Sequence, residues 1–540
     1  MLVYILQKMN IKSTILPIIF SLLLIIGIFL GRILDSDESN SNSSLLVKKY
    51  HKLNSVLGYI ESEYVDDISS NELIEKSLPF LLENLDPHSV YIPAKELLGI
   101  NESLEGNFDG IGVQFNIQHD TIMVVNTVSG GPSEKLGILA GDRIVKIDDT
   151  LVAGINISNE QVLQKLKGLR GTKVKVSIYR PKYPELIDYT ITRDVIPLYS
   201  VDVSYMITDS IGYVKISSFG GTTYQEFKKA ILRLQKKGMK KIILDLRGNG
   251  GGYLDAATKI TDEFLEDKKL IVYTEGKARP KTVTYATTRG YCHDTEMAIL
   301  LDEWSASASE IVAGAIQDND RGIIIGRRSF GKGLVQEQTM LPDGSALRLT
   351  IARYYTPSGR CIQKPYEHGH GSKYNEEILD RYVHGEFSQK DSIKLLDSLK
   401  YITSSGRVVY GGGGIMPDIF IPVDTLGWTP YLSAVSNKGL IYQFAFEYVD
   451  ENRVFLNKFK DYKELEEFLN KAHLINQFII FAENKGVAKK YNEIKTSEFI
   501  IKTQIKAYIA RNLFDNDGFY PIMKEVDIPL KRAIEVLSSK

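Results

Sequence analysis

Strands and helices alternate from Ile211 to Ser307, and this alternation limits the fold more than any other feature of the chain. A strand over Ile211 to Phe219 precedes a helix over Tyr224 to Lys237. A buried strand over Lys241 to Leu246 precedes a helix over Leu254 to Leu265, and a strand at Met297 to Leu301 leads into a helix opening near Ser307. Such a rhythm predicts an α/β core with helices packed on a sheet. The buried strand runs straight into Gly248-Asn249-Gly250-Gly251-Gly252, a backbone that turns sharply and lets another group come close. A loop of this kind presents N–H groups to an anion, either a phosphate or the oxyanion of acyl transfer. It lacks the Lys-Ser/Thr of a Walker A loop and is not G-x-G-x-x-G, which disfavours nucleotide binding. A plain glycine turn is the competing reading.

A chain of 540 residues exceeds one hydrophobic core, so several domains are expected. With 66 basic and 67 acidic residues, the balance of charge gives no reason to expect a nucleic-acid partner. The two cysteines, Cys292 and Cys361, make no metal cluster; they either bridge or stay free. Residues 14–31 are uncharged and almost wholly apolar, at the short end of what spans a bilayer. Lys8 and Lys12 precede this run and no A-x-A-like site follows it, so it reads as an uncleaved signal anchor with a cytoplasmic N-terminus. Asp35 to Ser44 is a polar tether.

Two further regions have their own patterns. From Leu45 to Leu104 apolar residues recur at helical spacing (Val56, Ile60, Tyr64; Leu78, Leu81, Leu82, Leu85). From Phe108 to Asp194 short β-branched runs alternate with turns, interrupted by helices near Ser133 to Leu136 and Asn159 to Leu166. Met340 to Ser345 reads as a hairpin turn. His368 to Gly413 is polar and reads as a surface insertion, and the sequence beyond Pro430 returns to amphipathic helices.

The residues that carry chemistry cluster in Trp304-Ser305-Ala306-Ser307-Ala308-Ser309-Glu310 and in Gly331-Lys332-Gly333 with Gln336. Small residues at a helix start expose a serine. A lysine among glycines and apolar neighbours (Phe330, Leu334, Val335) is open to desolvation, which lowers its pKa from about 10.4 and makes it a base. An amide four residues on is placed to hold the amine. A tight helix seam and a solvated surface lysine are the simpler readings of the two clusters. His293 with Asp294 offers a Ser-His-Asp alternative, but no G-x-S-x-G elbow surrounds the serine. His368-x-His370 in a glycine-rich loop reads as incidental, so neither a metal nor any other cofactor is expected.

The module from Phe108 carries Gly110-Ile111-Gly112-Val113 at its first strand, then Gly130-Gly131-Pro132-Ser133 and Ala140-Gly141-Asp142-Arg143-Ile144. It resembles a PDZ domain, whose first loop holds a peptide C-terminus on backbone N–H groups. With Leu85-Asp86-Pro87-His88-Ser89 before it, and the glycine loop, S-A-S-A-S-E, G-K-G and Q after it, the whole order resembles the C-terminal processing (tail-specific) peptidases. The resemblance implies a Ser307 nucleophile, a Lys332 base and Gln336 as its orienter. It implies oxyanion donors at Ala308 and at Gly251 or Gly252, with tail binding at Gly110, Ile111, Gly112 and Val113. Departures are Trp304, where glycine is common and which is expected to narrow the mouth of the site, and Leu166-Lys167-Gly168, where an activating arginine is expected.

The expectation is a multidomain α/β serine endopeptidase with an inserted PDZ-like β-rich module, an N-terminal anchor and a helical extension. Its segments are 1–13 cytoplasmic, 14–31 transmembrane, 32–44 linker, 45–105 helical, 106–195 PDZ-like, 196–430 peptidase core and 431–540 helical. The partners implied are proteins with exposed C-termini and the inner membrane, with the catalytic part in the periplasm. A homo-oligomer or an adaptor is left open. The alternative function is a catalytically silent peptide-binding scaffold.

Overall fold

The computed structural model describes residues 20–27 and 40–539, apart from 182, 370 and 394–396. The predicted anchor over 14–31 lies mostly outside them. Residues 20–27 are helical and exposed, and among the described residues no helix is long and apolar enough to cross a membrane. The chain divides into two units, residues 1–82 and 83–540. The first holds the helix Asn40–Glu63 and most of the helix Ser70–Glu83.

At the centre of the second unit lies a six-stranded sheet. Its order is Val201–Met206, Ile211–Ile216, Lys241–Asp245, Glu296–Leu301, Ile323–Gly326 and Ile419–Phe420. The first pair is antiparallel and every later pair parallel, with Val214 beside Leu244 and Leu244 beside Ile299. Alternate residues of each strand point to opposite faces. Val214, Ile216, Leu244 and Ile299 pack under the helices Thr223–Lys236, Leu254–Asp262 and Ala308–Asp318. Tyr213, Ile243, Ala298 and Leu300 pack on the opposite face against Leu530, Ala533 and Leu537 of the last helix, Ile528–Ser538. Both faces are dry, which is why these strands read as continuous apolar runs. Each fully buried aliphatic side chain contributes about 1.5–3 kcal/mol.

A second, antiparallel sheet carries the predicted hairpin. Leu334–Met340 pairs with Ala346–Tyr355, which also pairs with Val90–Ile92 and Leu270–Glu275. The module between has its own sheet, ordered Val113–Gln118, Thr121–Thr127, Arg143–Ile147, Lys173–Tyr179, Ile187–Thr192, and its own core. Asn107–Gly110 pairs with Asp194–Pro197, so the chain enters and leaves the module side by side, as an insertion must. Its helix Asn159–Leu166 starts in a capping box between Ser158 and Gln161.

Beyond Thr429, which caps Pro430–Asn437, four more helices (Leu440–Leu456, Tyr462–Asn470, Leu474–Asn484, Tyr491–Met523) enclose a separate core. The longest is kinked at Asp515. This bundle touches the inserted module: Arg143 pairs with Asp450 at 2.6 Å.

The polar stretch from His368 to Gly413 is more than a surface insertion. Its helix Gly371–Val383 buries Tyr374 and Arg381. Arg381 caps the carbonyls of Arg328 (2.8 Å) and Ser329 (3.0 Å), and Lys364 donates to the Tyr374 carbonyl (3.0 Å) and to Glu377 (2.8 Å). Polar composition hid this role because the buried charges are matched by backbone carbonyls and carboxylates.

Candidate active site

Ser307 is the residue immediately before the helix Ala308–Asp318 and holds φ 54°, ψ −110°. A non-glycine residue in that region stores on the order of 1–3 kcal/mol, so its surroundings must enforce it. They do so on both sides. The Ser305 hydroxyl donates to the Leu246 carbonyl, and the Ala306 N–H and Ser309 hydroxyl both donate to the Asn249 carbonyl, each at 2.9 Å. A Cβ on Gly251 would fall 2.7 Å from Ser307 Cβ and 2.9 Å from the Ala306 oxygen. Glycine and small residues are therefore both required. The outer serines of S-A-S-A-S make the packing seam, and the middle one lines the cleft.

Ser307, Lys332, Gln336, Gly251 and Gly252 line one cleft of about 820 Å³. Lys332 Nζ donates to Gln336 Oε1 at 3.1 Å, and Gln336 Nε2 donates to the His88 carbonyl. A carbonyl can only accept, so the amide orientation is fixed and its oxygen faces the amine. Leu85-Asp86-Pro87-His88-Ser89 builds this support. Asp86 accepts from the N–H groups of His88 and Ser89 (2.9 Å each), the Ser89 hydroxyl (2.6 Å) and the Thr350 hydroxyl (3.0 Å). His88 Nε2 meets the Tyr374 hydroxyl at 3.0 Å, so the polar insertion also braces the site.

Burial lowers the pKa of Lys332, and the Arg348 charge lowers it further against the pull of Asp86 and Glu310. A desolvated amine is able to take a proton. Burial and the Lys332 charge bring His88 down to about 4, which keeps it neutral.

Two buried side chains tie Ser307 to Lys332, and sequence reasoning passed over both. Glu310 Oε2 accepts from the backbone N–H of Ser307 and of Lys332, each at 2.8 Å, while Oε1 accepts from the Gly331 N–H (2.7 Å) and the Ser329 hydroxyl (2.5 Å). Burial pushes its carboxyl pKa up against these four donors. The Tyr354 hydroxyl lies 3.1 Å from the Ser307 carbonyl and 2.9 Å from that of Lys332. Glu310 closes the S-A-S-A-S-E motif, so its position in the first helical turn was the available signal; Tyr354 carried none.

The N–H groups at hand differ in freedom. Gly251 N–H donates to Asn249 Oδ1 at 2.9 Å, whereas those of Gly252 and Ala308 have no protein acceptor among the described residues. Gly252 is held close to Phe219, whose oxygen its Cβ would meet at 2.2 Å.

The sequence-predicted tail-binding residues lie elsewhere. Gly110 to Val113 open the edge strand Val113–Gln118 and are absent from the lining of the cleft. Gly112 holds φ 72°, and the N–H groups of Ile111 and Gly112 have no protein acceptor among the described residues. Lys167 pairs with Glu102 and lies 4.5 Å over the Phe108 ring.

Other expectations need correction or fall away. Trp304 is exposed and does not line the cleft, so the expected narrowing is not seen. His293 is likewise outside the lining, which leaves the Ser-His-Asp alternative without geometry. Cys292 and Cys361 are both free. His370 lies outside the described residues.

A mostly parallel core sheet, an inserted β-rich module and a cleft lined by Ser307 and Lys332 make a mixed α/β fold, and sequence comparison identifies it as that of a peptidase. The model of peptidase family S41 matches residues 210–369, that of the PDZ domain residues 110–191, and a family of unknown function residues 431–515. The carboxy-terminal-processing protease of Bartonella bacilliformis is 35% identical over 345 residues, 62% of this chain and 78% of its own. The carboxy-terminal processing protease CtpA of Bacillus subtilis is 35% identical over 317 residues, 58% of this chain and 67% of its own. A solved photosystem II D1 C-terminal processing protease aligns with 69% of this chain and 92% of its own at 24% identity, TM-score 0.34. The chain belongs to the carboxy-terminal processing proteases of peptidase family S41.

Proposed function

We propose that this chain is a serine endopeptidase with a Ser307–Lys332 dyad that cleaves proteins captured by their C-terminal tails. Family membership favours turnover over a silent scaffold. The observation that carries the dyad is that a strained serine and a buried, pKa-lowered lysine line one cleft with the glycine loop. Lys332 Nζ takes the hydroxyl proton as Ser307 Oγ attacks the scissile carbonyl. Ala308 N–H and a loop glycine N–H steady the oxyanion, and Gly252 is the freer of the two glycines. The lysine then returns the proton to the leaving amine, and water hydrolyses the acyl ester. Gln336 keeps Nζ in place throughout.

The PDZ-like module supplies capture: its edge strand is open to pairing, and its loop N–H groups are free for a terminal carboxylate. Residues 14–31 are proposed as a single-pass inner-membrane anchor that leaves the remainder in the periplasm, with 106–195 as the PDZ-like module and 196–430 as the peptidase core, to which Val90–Ile92 and the last helix, Ile528–Ser538, also contribute. A serine-reactive fluorophosphonate that labels the wild type and spares Ser307→Ala tests the nucleophile. Equal labelling of both would sink it. Protease digestion of spheroplasts tests the location: loss of the catalytic part supports the periplasm, and protection contradicts it.

A further inference from the structure

We propose that Asp527, which caps the last helix, is a positioning residue for the glycine loop of the cleft. The proposal rests on the peptidase reading and deepens it. Asp527 accepts from both Arg247 terminal nitrogens, Nη1 at 2.8 Å and Nη2 at 2.7 Å. The same guanidinium grips Asp245 through Nε (3.0 Å) and Nη2 (2.6 Å). A planar guanidinium shared between two carboxylates has its orientation fixed, unlike a lysine at the same place.

The three residues stand at a mechanical junction. Asp245 ends the buried strand Lys241–Asp245, and Arg247 is the residue just before Gly248. Asp245 is wholly buried; burial alone would raise its carboxyl pKa, but the Arg247 and Lys215 charges hold it well below the usual carboxylate range. Lys215 also donates to the Arg247 carbonyl at 2.9 Å. Two carboxylates and two cations thus balance beneath the loop. Asp527 belongs to a helix whose Leu530, Ala533 and Leu537 are locked against the sheet, so it is a rigid anchor. Asp527 and the helix it caps thereby set where the loop N–H groups point, although none of their residues lines the cleft.

The test compares full-length wild type, Asp527→Asn and Asp527→Glu. Asparagine caps a helix as well as aspartate does, so the first variant removes the charge pair and spares the helix. Expected are faster amide exchange at residues 248–252, kcat lower by about tenfold at unchanged KM, an unchanged Tm, and recovery of most of the rate in Asp527→Glu. Unaltered exchange at 248–252, or a lowered Tm with wild-type kcat per folded molecule, overturns the proposal. If exchange quickens while the wild type cleaves no substrate, the positioning stands and the peptidase reading falls.

Discussion

The backbone N–H of Ser307 and the backbone N–H of Lys332, 25 residues apart in sequence, donate to the same oxygen, Glu310 Oε2, at 2.8 Å each. The proposed nucleophile and base are thus registered through one buried carboxylate. Their spacing does not depend on a direct contact between the two side chains.

Glu310→Gln puts an NH2 group where the pocket offers only donors. Each carboxylate oxygen serves two of the four donors, so two lose their acceptor, at a cost of about 1–3 kcal/mol each. Turnover is expected to fall about a hundredfold or more, with a lower Tm. Steady-state kinetics and thermal unfolding on one preparation check this, and wild-type values for both contradict it.

Tyr354→Phe removes the hydroxyl that spans the Ser307 and Lys332 carbonyls while keeping the buried ring. The stability loss is about 1 kcal/mol, the worth of one hydrogen bond. A fall in kcat well beyond that, about tenfold at unchanged KM, is expected because the carbonyls belong to the two residues of the proposed dyad. An unchanged kcat shows that Glu310 alone suffices.

The pH profile has a predicted sign. Lys332 acts as a base only when neutral, so kcat/KM rises with pH through its pKa. After burial, the Arg348 charge is the main influence lowering that pKa. Arg348→Met therefore raises it, and the acid limb moves to higher pH. A shift to lower pH, or none, contradicts the assignment of the limb to Lys332.

The proposed tail capture depends on Gly112. It holds φ 72°, and a Cβ there would lie 3.0 Å from Ile196 Cδ1 and 3.4 Å from Pro132 Cδ. Left-handed backbone alone costs a side chain about 1–2 kcal/mol. Gly112→Val is expected to weaken binding of a fluorescent peptide with a free apolar C-terminus at least several-fold, read by polarisation. Wild-type affinity would move the binding site elsewhere.

The sequence made the cleft legible where its information is local. The strand into Gly248–Gly252, the helix start at Ser307 and the pair Lys332 and Gln336 each lie in one short motif, and the structure gathers them around one cavity. Tyr354, Arg348 and Asp86 were opaque because their roles arise from strand pairing: Val90–Ile92 and Leu334–Met340 flank the strand that bears Arg348 and Tyr354. Gly371–Val383 misled for another reason. Its charged residues look solvent-facing in one dimension, yet Arg381 is buried on carbonyls. Asp527 lies 280 residues from Arg247, beyond the reach of any periodicity argument.

The mechanism proposed for this cleft stands or falls with Lys332 as the base. This is tested by degradation of an unfolded reporter with a free apolar C-terminus by the chain from about Leu45 onward, beside its Lys332→Ala variant. Cleavage by the first, loss of at least about a thousandfold in the second, and retained tail binding in both are expected. Cleavage by the variant at the wild-type rate would contradict the mechanism.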